Sequence, residues 1–304
     1  MRTLVTGGAG FIGSHLVDAL LAAGHEVTVV DDLSRGRREQ VSDGVRLIEV
    51  DVASASLPRA VRDTRPDIVF HEAAQIDVRE SVRNPLRDAE VNVLGTVNLL
   101  RACVDAEVRR LVFASSGGAV YGDTEVIPTP EDHPCRPESP YGTSKRCGEH
   151  YGATFQRNQG LEFVSLRYTN VYGPRQDPHG EAGVVAIFAT RLLTGEQAVI
   201  NGDGSQTRDY VYVDDVVRAN LCAISAPPGT YNVGAATETD VNQLFERLRR
   251  ASGSTARAVH GDPKPGEQQR SCVAIERAAA ELGWTPEVDL DQGLARTVDH
   301  FRRR

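Results

Sequence analysis

Lysine is almost absent from this chain. Of its 34 lysine and arginine residues only Lys145 and Lys264 are lysine. A compact, titratable ammonium therefore exists at two places, and every other cation is a permanently charged guanidinium. Cysteine is scarce and unpaired. Cys103, Cys135, Cys147, Cys222 and Cys272 are scattered with no CxxC spacing, which argues against a disulfide framework or a zinc site and for reduced thiols in a cytoplasm. The opening residues, MRTLVTGG, enter a strand-like run with no signal-peptide apolar region. No apolar run approaches the roughly 18 residues of a membrane span. Positive charge is in deficit, with 34 basic against 42 acidic residues and a net charge of -8, which argues against nucleic acid and anionic membranes as partners.

What is present is an alternation. Apolar runs at 3–6, 26–30, 46–50, 67–71, 110–115 and 162–168 read as strands, and amphipathic stretches at 11–23, 57–64, 86–106 and 141–158 read as helices. Strands apolar on both faces that alternate with helices predict an α/β fold built on a doubly wound parallel sheet. Beyond Gly173 the pattern loosens, and Gly-, Pro- and charge-rich connections at 173–183, 201–206 and 260–267 separate shorter elements. Two units are expected: a Rossmann-type domain over 1–172 with return segments near 208–233, and a smaller substrate domain mainly over 173–304.

The first strand runs into TGGAGFIG, with Gly7, Gly10 and Gly13 spaced as a dinucleotide-binding turn and Phe11 and Ile12 opening the helix. Such glycines permit a tight turn, backbone approach to a pyrophosphate and close packing of helix on strand, while the helix N-terminus offers amides to the phosphates. The second strand ends in Asp31 and Asp32, carboxylates that accept ribose hydroxyls and repel a 2′-phosphate. That predicts NAD, although Arg35, Arg37 and Arg38 leave NADP open. Asp51 and Val52 close the third strand, where an adenine can be held.

Tyr141 and Lys145 lie one helical turn apart in YGTSK, so their side chains share a face. A free phenol, with a pKa near 10, is a poor base at neutral pH. A neighbouring ammonium and an oxidised nicotinamide both favour the phenolate. By itself the pair is more often a solvated surface contact; beside a dinucleotide turn it reads as catalytic.

TGGAGFIG, FASSGGAVYG, YGTSK, LRYTNVYGPR and GDGSQTRDYVYVDDV, in this order, resemble the extended short-chain dehydrogenase/reductase family. Within it they are most similar to the NAD-dependent nucleotide-sugar epimerases typified by UDP-glucose 4-epimerase. The resemblance runs end to end and implies a nucleotide-sugar substrate, a UDP-hexose, oxidised at C4 by NAD with Tyr141 as the proton acceptor and then reduced on its other face. Position by position it implies that Ala73, Ala74, Gln75, Asn92 and Tyr168 face NAD. It implies that Asn170 and Arg208 contact the nucleotide diphosphate, with Val199 to Asn201 by the base. Lys264 and Glu267 stand in Lys-Pro-Gly-Glu where the family has Arg-Pro-Gly-Asp, and Ser271 stands at the border of the sugar's C2 substituent, leaving room for an N-acetyl group. His71-Glu72 begins like a zinc helix, but Gln75 replaces the second ligand and no metal is expected. The helices at 86–106 and 141–158 resemble a pair that forms a homodimer, with Val91, Val93 and Leu94 beside Gly95.

Relatives that dehydrate or decarboxylate their sugars carry an acid two positions before the tyrosine of VYG. Here that position is Ala119, preceded by Gly118, which favours simple epimerisation. A one-way nucleotide-sugar oxidoreductase and a non-catalytic NAD sensor are the alternatives. Gly117 stands where relatives place the hydroxyl that bridges substrate and tyrosine. Three substitutes are open: Ser116, a water, or direct transfer to Tyr141. Ser115 is expected to hydrogen-bond the cofactor.

Overall fold

The computed structural model describes residues 1–178, 183–264 and 268–303. Its strands are β1 (Arg2–Thr6), β2 (Glu26–Asp31), β3 (Arg46–Glu49), β4 (Ile68–His71), β5 (Arg110–Ser116), β6 (Glu162–Tyr168), β7 (Asn170–Tyr172), β8 (Val199–Asn201), β9 (Thr207–Tyr212), β10 (Gly229–Val233), β11 (Glu238–Asp240) and β12 (Val259–Gly261). Seven of them form one sheet in the order β10-β6-β5-β4-β1-β2-β3, every pair parallel. The expected doubly wound α/β sheet is what the chain forms.

Because successive strand residues point to opposite faces, the apolar runs divide into two cores. Val5, Phe70 and Val112 pack with Leu16, Val17 and Leu20 of helix Phe11–Ala22. Leu4, Val69, Leu111 and Phe113 pack with Leu57 and Val61 of helix Leu57–Thr64 and with Leu99 and Leu100 of helix Gly95–Asp105. The chain lays β1, β2 and β3 in one direction and β4, β5 and β6 in the other, so the order reverses between β1 and β4. Parallel sheets bind ligands in the crevice beyond the strand C-termini at such a reversal.

A third core gathers Tyr172, Phe188, Tyr210, Leu244, Phe245 and Leu294. It lies among helices Val184–Thr194, Val241–Ser252 and Leu290–Arg302, beside the small sheet β11-β9-β7. Between β9 and β10 the chain returns through helix Val213–Ala223 to place β10 beside β6. One expected element differs. The helix at 86–106 is broken into Pro85–Ala89, a π-helical turn Glu90–Leu94 and Gly95–Asp105. The turn rotates Asn92 into the interior, where it is buried.

Candidate active site

A cleft of about 490 Å³ opens at the strand-order reversal, within the size range of cofactor sites. Gly7, Gly10, Phe11, Ile12 and Gly13 line it from the first turn, Asp31 and Asp32 from the end of β2, and Asp51 and Val52 from the end of β3. Ala73, Ala74 and Gln75 line it from the segment after β4. Gly7 has φ +71, and a Cβ there would sit 2.6 Å from the Ala73 amide nitrogen; only a glycine lets the two loops meet. The Asp31 carboxylate accepts the Ala9 and Leu33 amides at 3.0 and 2.9 Å, and burial pushes it up against the pull of those amides.

Opposite the glycine turn, Arg175 and Gln176 cross the cleft mouth. Arg175 donates to Asp18 through Nη2 at 2.7 Å. Its Nη1 and the Gln176 Oε1 are buried with no hydrogen-bond partner among the described residues. A glycine cradle that a Cβ would fill, a carboxylate at the ribose end and orphaned polar atoms across the mouth fit a dinucleotide.

Helix Pro140–Gln159 carries the reactive pair. Ser139 caps it by accepting the Gly142 amide at 3.1 Å, and Pro140 opens it. Gly148 lets it lie close on the sheet, since a Cβ there would meet the Phe113 ring at 2.5 Å. Tyr141 and Lys145 thereby reach the C-terminal end of β5. Lys145 Nζ donates to the Ala114 carbonyl at 2.8 Å and lies 5.9 Å from the centre of the Tyr141 ring. Burial lowers the Lys145 ammonium to about 8 against the pull of Glu72 and Asp88. Burial also pushes the Tyr141 phenol up to about 12, opposed by a hydrogen bond with Ser116. Burial outweighs the groups that draw the phenol down.

Ser116 stands close enough to Tyr141 to draw its phenol down, whereas Ser115 Oγ donates to the buried Glu149 Oε1 at 2.7 Å. Neighbours on a strand face opposite ways, and Ser115, expected at the cofactor, spends its hydroxyl proton on Glu149. At Gly117 a Cβ would sit 3.0 Å from the Arg167 carbonyl oxygen and 3.2 Å from Val273, so a side chain there would require those neighbours to give way. We predict that Ser116→Ala lowers kcat by about 10² with cofactor retained, the scale of a lost proton-transfer group, and that near-normal steady-state turnover would reassign the relay to water.

Asn92 Nδ2 donates to the Gln75 carbonyl at 2.8 Å, to Asp88 Oδ1 at 3.0 Å and to Ser144 Oγ at 3.2 Å, while its Oδ1 accepts the Gln75 amide at 2.9 Å, which ties the segment after β4 to helix Pro140–Gln159.

Asn170 Oδ1 and Ser271 Oγ both lie 3.9 Å from the point where a Gly118 Cβ would stand, which brings these two expected substrate residues together at the end of β5. Arg208 lies on β9, near Asp123, whose carboxyl burial and Glu138 push up against the pull of Arg208. Val199 and Asn201 form a separate group on β8, paired in parallel with β12, and Lys264 is exposed just beyond it. Glu267 lies outside the described residues. Among the described residues no group of three or more His, Cys, Asp or Glu side chains is arranged to hold a metal, and no helix is long and apolar enough to cross a membrane.

Sequence reasoning overlooked Glu72, which lines the cleft beside Ala73 and stands within electrostatic range of Tyr141 and Lys145. A carboxylate directly after the buried strand end Ile68–His71 was the available signal.

A parallel sheet with a glycine turn at its strand reversal, and a Ser-Tyr-Lys group beside the cleft, define a dinucleotide-dependent oxidoreductase of the extended short-chain class. The NAD dependent epimerase/dehydratase family model matches residues 3–234, and the chain belongs to that family. It is 47% identical over 312 residues to a UDP-glucose 4-epimerase of Mycolicibacterium smegmatis, covering 100% of this chain and 99% of the relative. The structure of a Thermotoga maritima UDP-glucose 4-epimerase with UDP-glucose superposes with TM-score 0.98 at 47% identity, over 100% of this chain and 99% of that one. The NAD complex of a Thermus thermophilus UDP-glucose 4-epimerase superposes with TM-score 0.96 at 48% identity, over 99% of each chain.

Proposed function

We propose that this protein interconverts the C4 epimers of a UDP-hexose. The observation that carries the reading is Tyr141 sharing a helix face with the buried Lys145, whose Nζ is held by the Ala114 carbonyl, with Ser116 close enough to act on the phenol, at a strand end where Gly118 and Ala119 supply no further acid. Bound NAD supplies the acceptor and donor of the hydride. Ser116 relays the 4-hydroxyl proton to Tyr141, and Lys145 favours the phenolate across the shared helix face. The 4-keto sugar, held by its diphosphate, would turn to present its other face to the cofactor, and Tyr141 would return the proton through Ser116. Arg208 and Asn170 hold the diphosphate, with Arg208 neutralising its charge. Val199 and Asn201 flank the base, and Lys264 extends the diphosphate clamp.

The test is incubation with UDP-glucose, UDP-galactose and their N-acetylamino counterparts, with products followed by proton NMR. Interconversion of 4-epimers without accumulating NADH supports the reading; stoichiometric NADH and an oxidised sugar would establish a one-way dehydrogenase. Ser271 is small and borders Gly118, so acetylated sugars are expected to be accepted. Ser271→Tyr should lower kcat/KM on them at least tenfold more than on plain hexoses, and equal losses would show that Ser271 is not a gate.

A homodimer in the cytoplasm completes the reading. Leu86 and Leu94 are 82% and 62% exposed and Tyr151 is 43% exposed, on helices that pack side by side. Val93 and Cys147 line the groove between those helices, whereas Val91 turns inward onto the sheet core. Exposed apolar side chains gathered in this way mark an interaction surface. Light scattering at micromolar concentration should give twice the chain mass, and Leu86→Glu with Leu94→Glu should return the monomer. A wild-type monomer would refute the assignment.

A further inference from the structure

Glu72 follows the buried strand β4 and presents its carboxylate to the cleft. The backbone at Glu72 and Ala73 packs on the Gly7 turn, so the carboxylate stands at the strand-order reversal itself. It is held from behind by a directional chain. Asn220 Nδ2 donates to the Tyr168 hydroxyl oxygen at 2.7 Å, and the Tyr168 hydroxyl donates to Glu72 Oε1 at 2.9 Å. Asn220 is itself anchored by donating to the Val216 carbonyl at 3.0 Å. Among the described residues Tyr168 supplies the one hydrogen bond that Glu72 receives. Tyr168, expected to face NAD, acts here by orienting an acid that does.

We propose that Glu72 is the counter-ion of the cofactor's cationic nicotinamide ring, a positioning residue that makes the site hold the oxidised cofactor in preference to the reduced one. The inference rests on the reading above that NAD occupies this cleft with its reactive ring beside Tyr141. The physical ground is the change of charge on reduction. The ring is a cation in NAD and neutral in NADH; of the pair flanking it Tyr141 is neutral and Lys145 cationic, and the other carboxylate in range of both, Asp88, is engaged by Gln75 and Asn92. A carboxylate there attracts one redox form only, and in a partly buried cleft that attraction is weakly screened. Burial pushes the carboxyl up to about 7, opposed by the Tyr168 hydrogen bond and by Lys145, so it is largely ionised at pH 8. An enzyme that must finish each cycle with its cofactor oxidised gains from such a bias.

Glu72→Gln isolates the charge, because the amide oxygen still accepts the Tyr168 hydroxyl. Dissociation constants for NAD, NADH and ADP-ribose are measured calorimetrically at pH 8 on cofactor-stripped wild type and variant. The expected result is a tenfold or greater weakening of NAD, with NADH and ADP-ribose changed less than twofold. That tenfold shift in the NAD to NADH affinity ratio corresponds to a bound-cofactor potential about 30 mV more positive for a two-electron couple. NAD and NADH weakened by the same factor, or neither weakened, overturns the proposal. Should Glu72→Gln fail to fold, Glu72→Asp withdraws the carboxylate by one methylene and is expected to move the same ratio in the same direction by a smaller factor; an unchanged ratio there overturns it equally. A wild-type protein that binds none of the three ligands would instead sink the cofactor reading beneath it.

Discussion

Tyr141→Phe is expected to lower kcat by between about 10² and 10⁴, the range for removal of a general acid–base group, while bound NAD is retained. Phenylalanine keeps the ring packed at the helix start and removes only the oxygen that Ser116 touches. The loss should therefore appear in kcat and kcat/KM together, as when an interaction made in the transition state is removed. Lys145→Met belongs to the same experiment. Its ammonium, lowered to about 8 by burial, favours the phenolate, so the variant's activity should rise only at higher pH than wild type, in a kcat profile from pH 6 to 10. Near-normal turnover by Tyr141→Phe at neutral pH would falsify the mechanism.

The second large effect lies behind the site. Arg167 and Glu149 form an ion pair with side chains 2% and 3% exposed. Two Arg167 nitrogens, Nε and Nη2, each reach a Glu149 oxygen at 2.8 Å. Ser115 and Ser165 hydroxyls add to Glu149, and Arg167 Nη1 reaches the Tyr121 hydroxyl at 2.8 Å. Burial pushes the Glu149 carboxyl up, but the hydrogen bonds and charge of Arg167 hold it down at about 2. Removing Arg167 leaves the buried Glu149 with only the partly exposed Arg146, at 2.6 Å, as its cation, so Arg167→Met should destabilise by about 3 kcal/mol, the low end for a broken buried pair. Replacing both, as Glu149→Leu with Arg167→Met, should recover most of that. Chemical denaturation of the two single variants and the double variant decides it, and additive losses would mean that the pair is not coupled. The sign with pH follows from the lowered value. The contribution is complete above the ordinary carboxyl value of 4.5 and is lost as pH falls towards 2.

What the sequence determined by itself is whatever is written locally. The two-faced apolar runs specify buried parallel strands because period and composition act within each segment. The turn at Gly7 to Gly13 specifies a phosphate cradle because φ and steric access belong to single residues. Tyr141 and Lys145 specify a shared face because helical periodicity is a local rule. Tertiary structure alone decided the rest, since it depends on partners far along the chain. Ser116, not Ser115, meets Tyr141 because the pleat of β5 is set by pairing with β4 and β6. A side chain at Gly117 would require the Arg167 carbonyl and Val273 to give way. Asn92 turns to Gln75 and Ser144 because a π-turn interrupts a helix whose apolar pattern is continuous. Glu72 is held as a cleft-facing acid by Tyr168 and Asn220, whose approach requires β6 and helix Val213–Ala223 to close on the end of β4. Burial and charge proximity are properties of assembled space, and no window of sequence contains them.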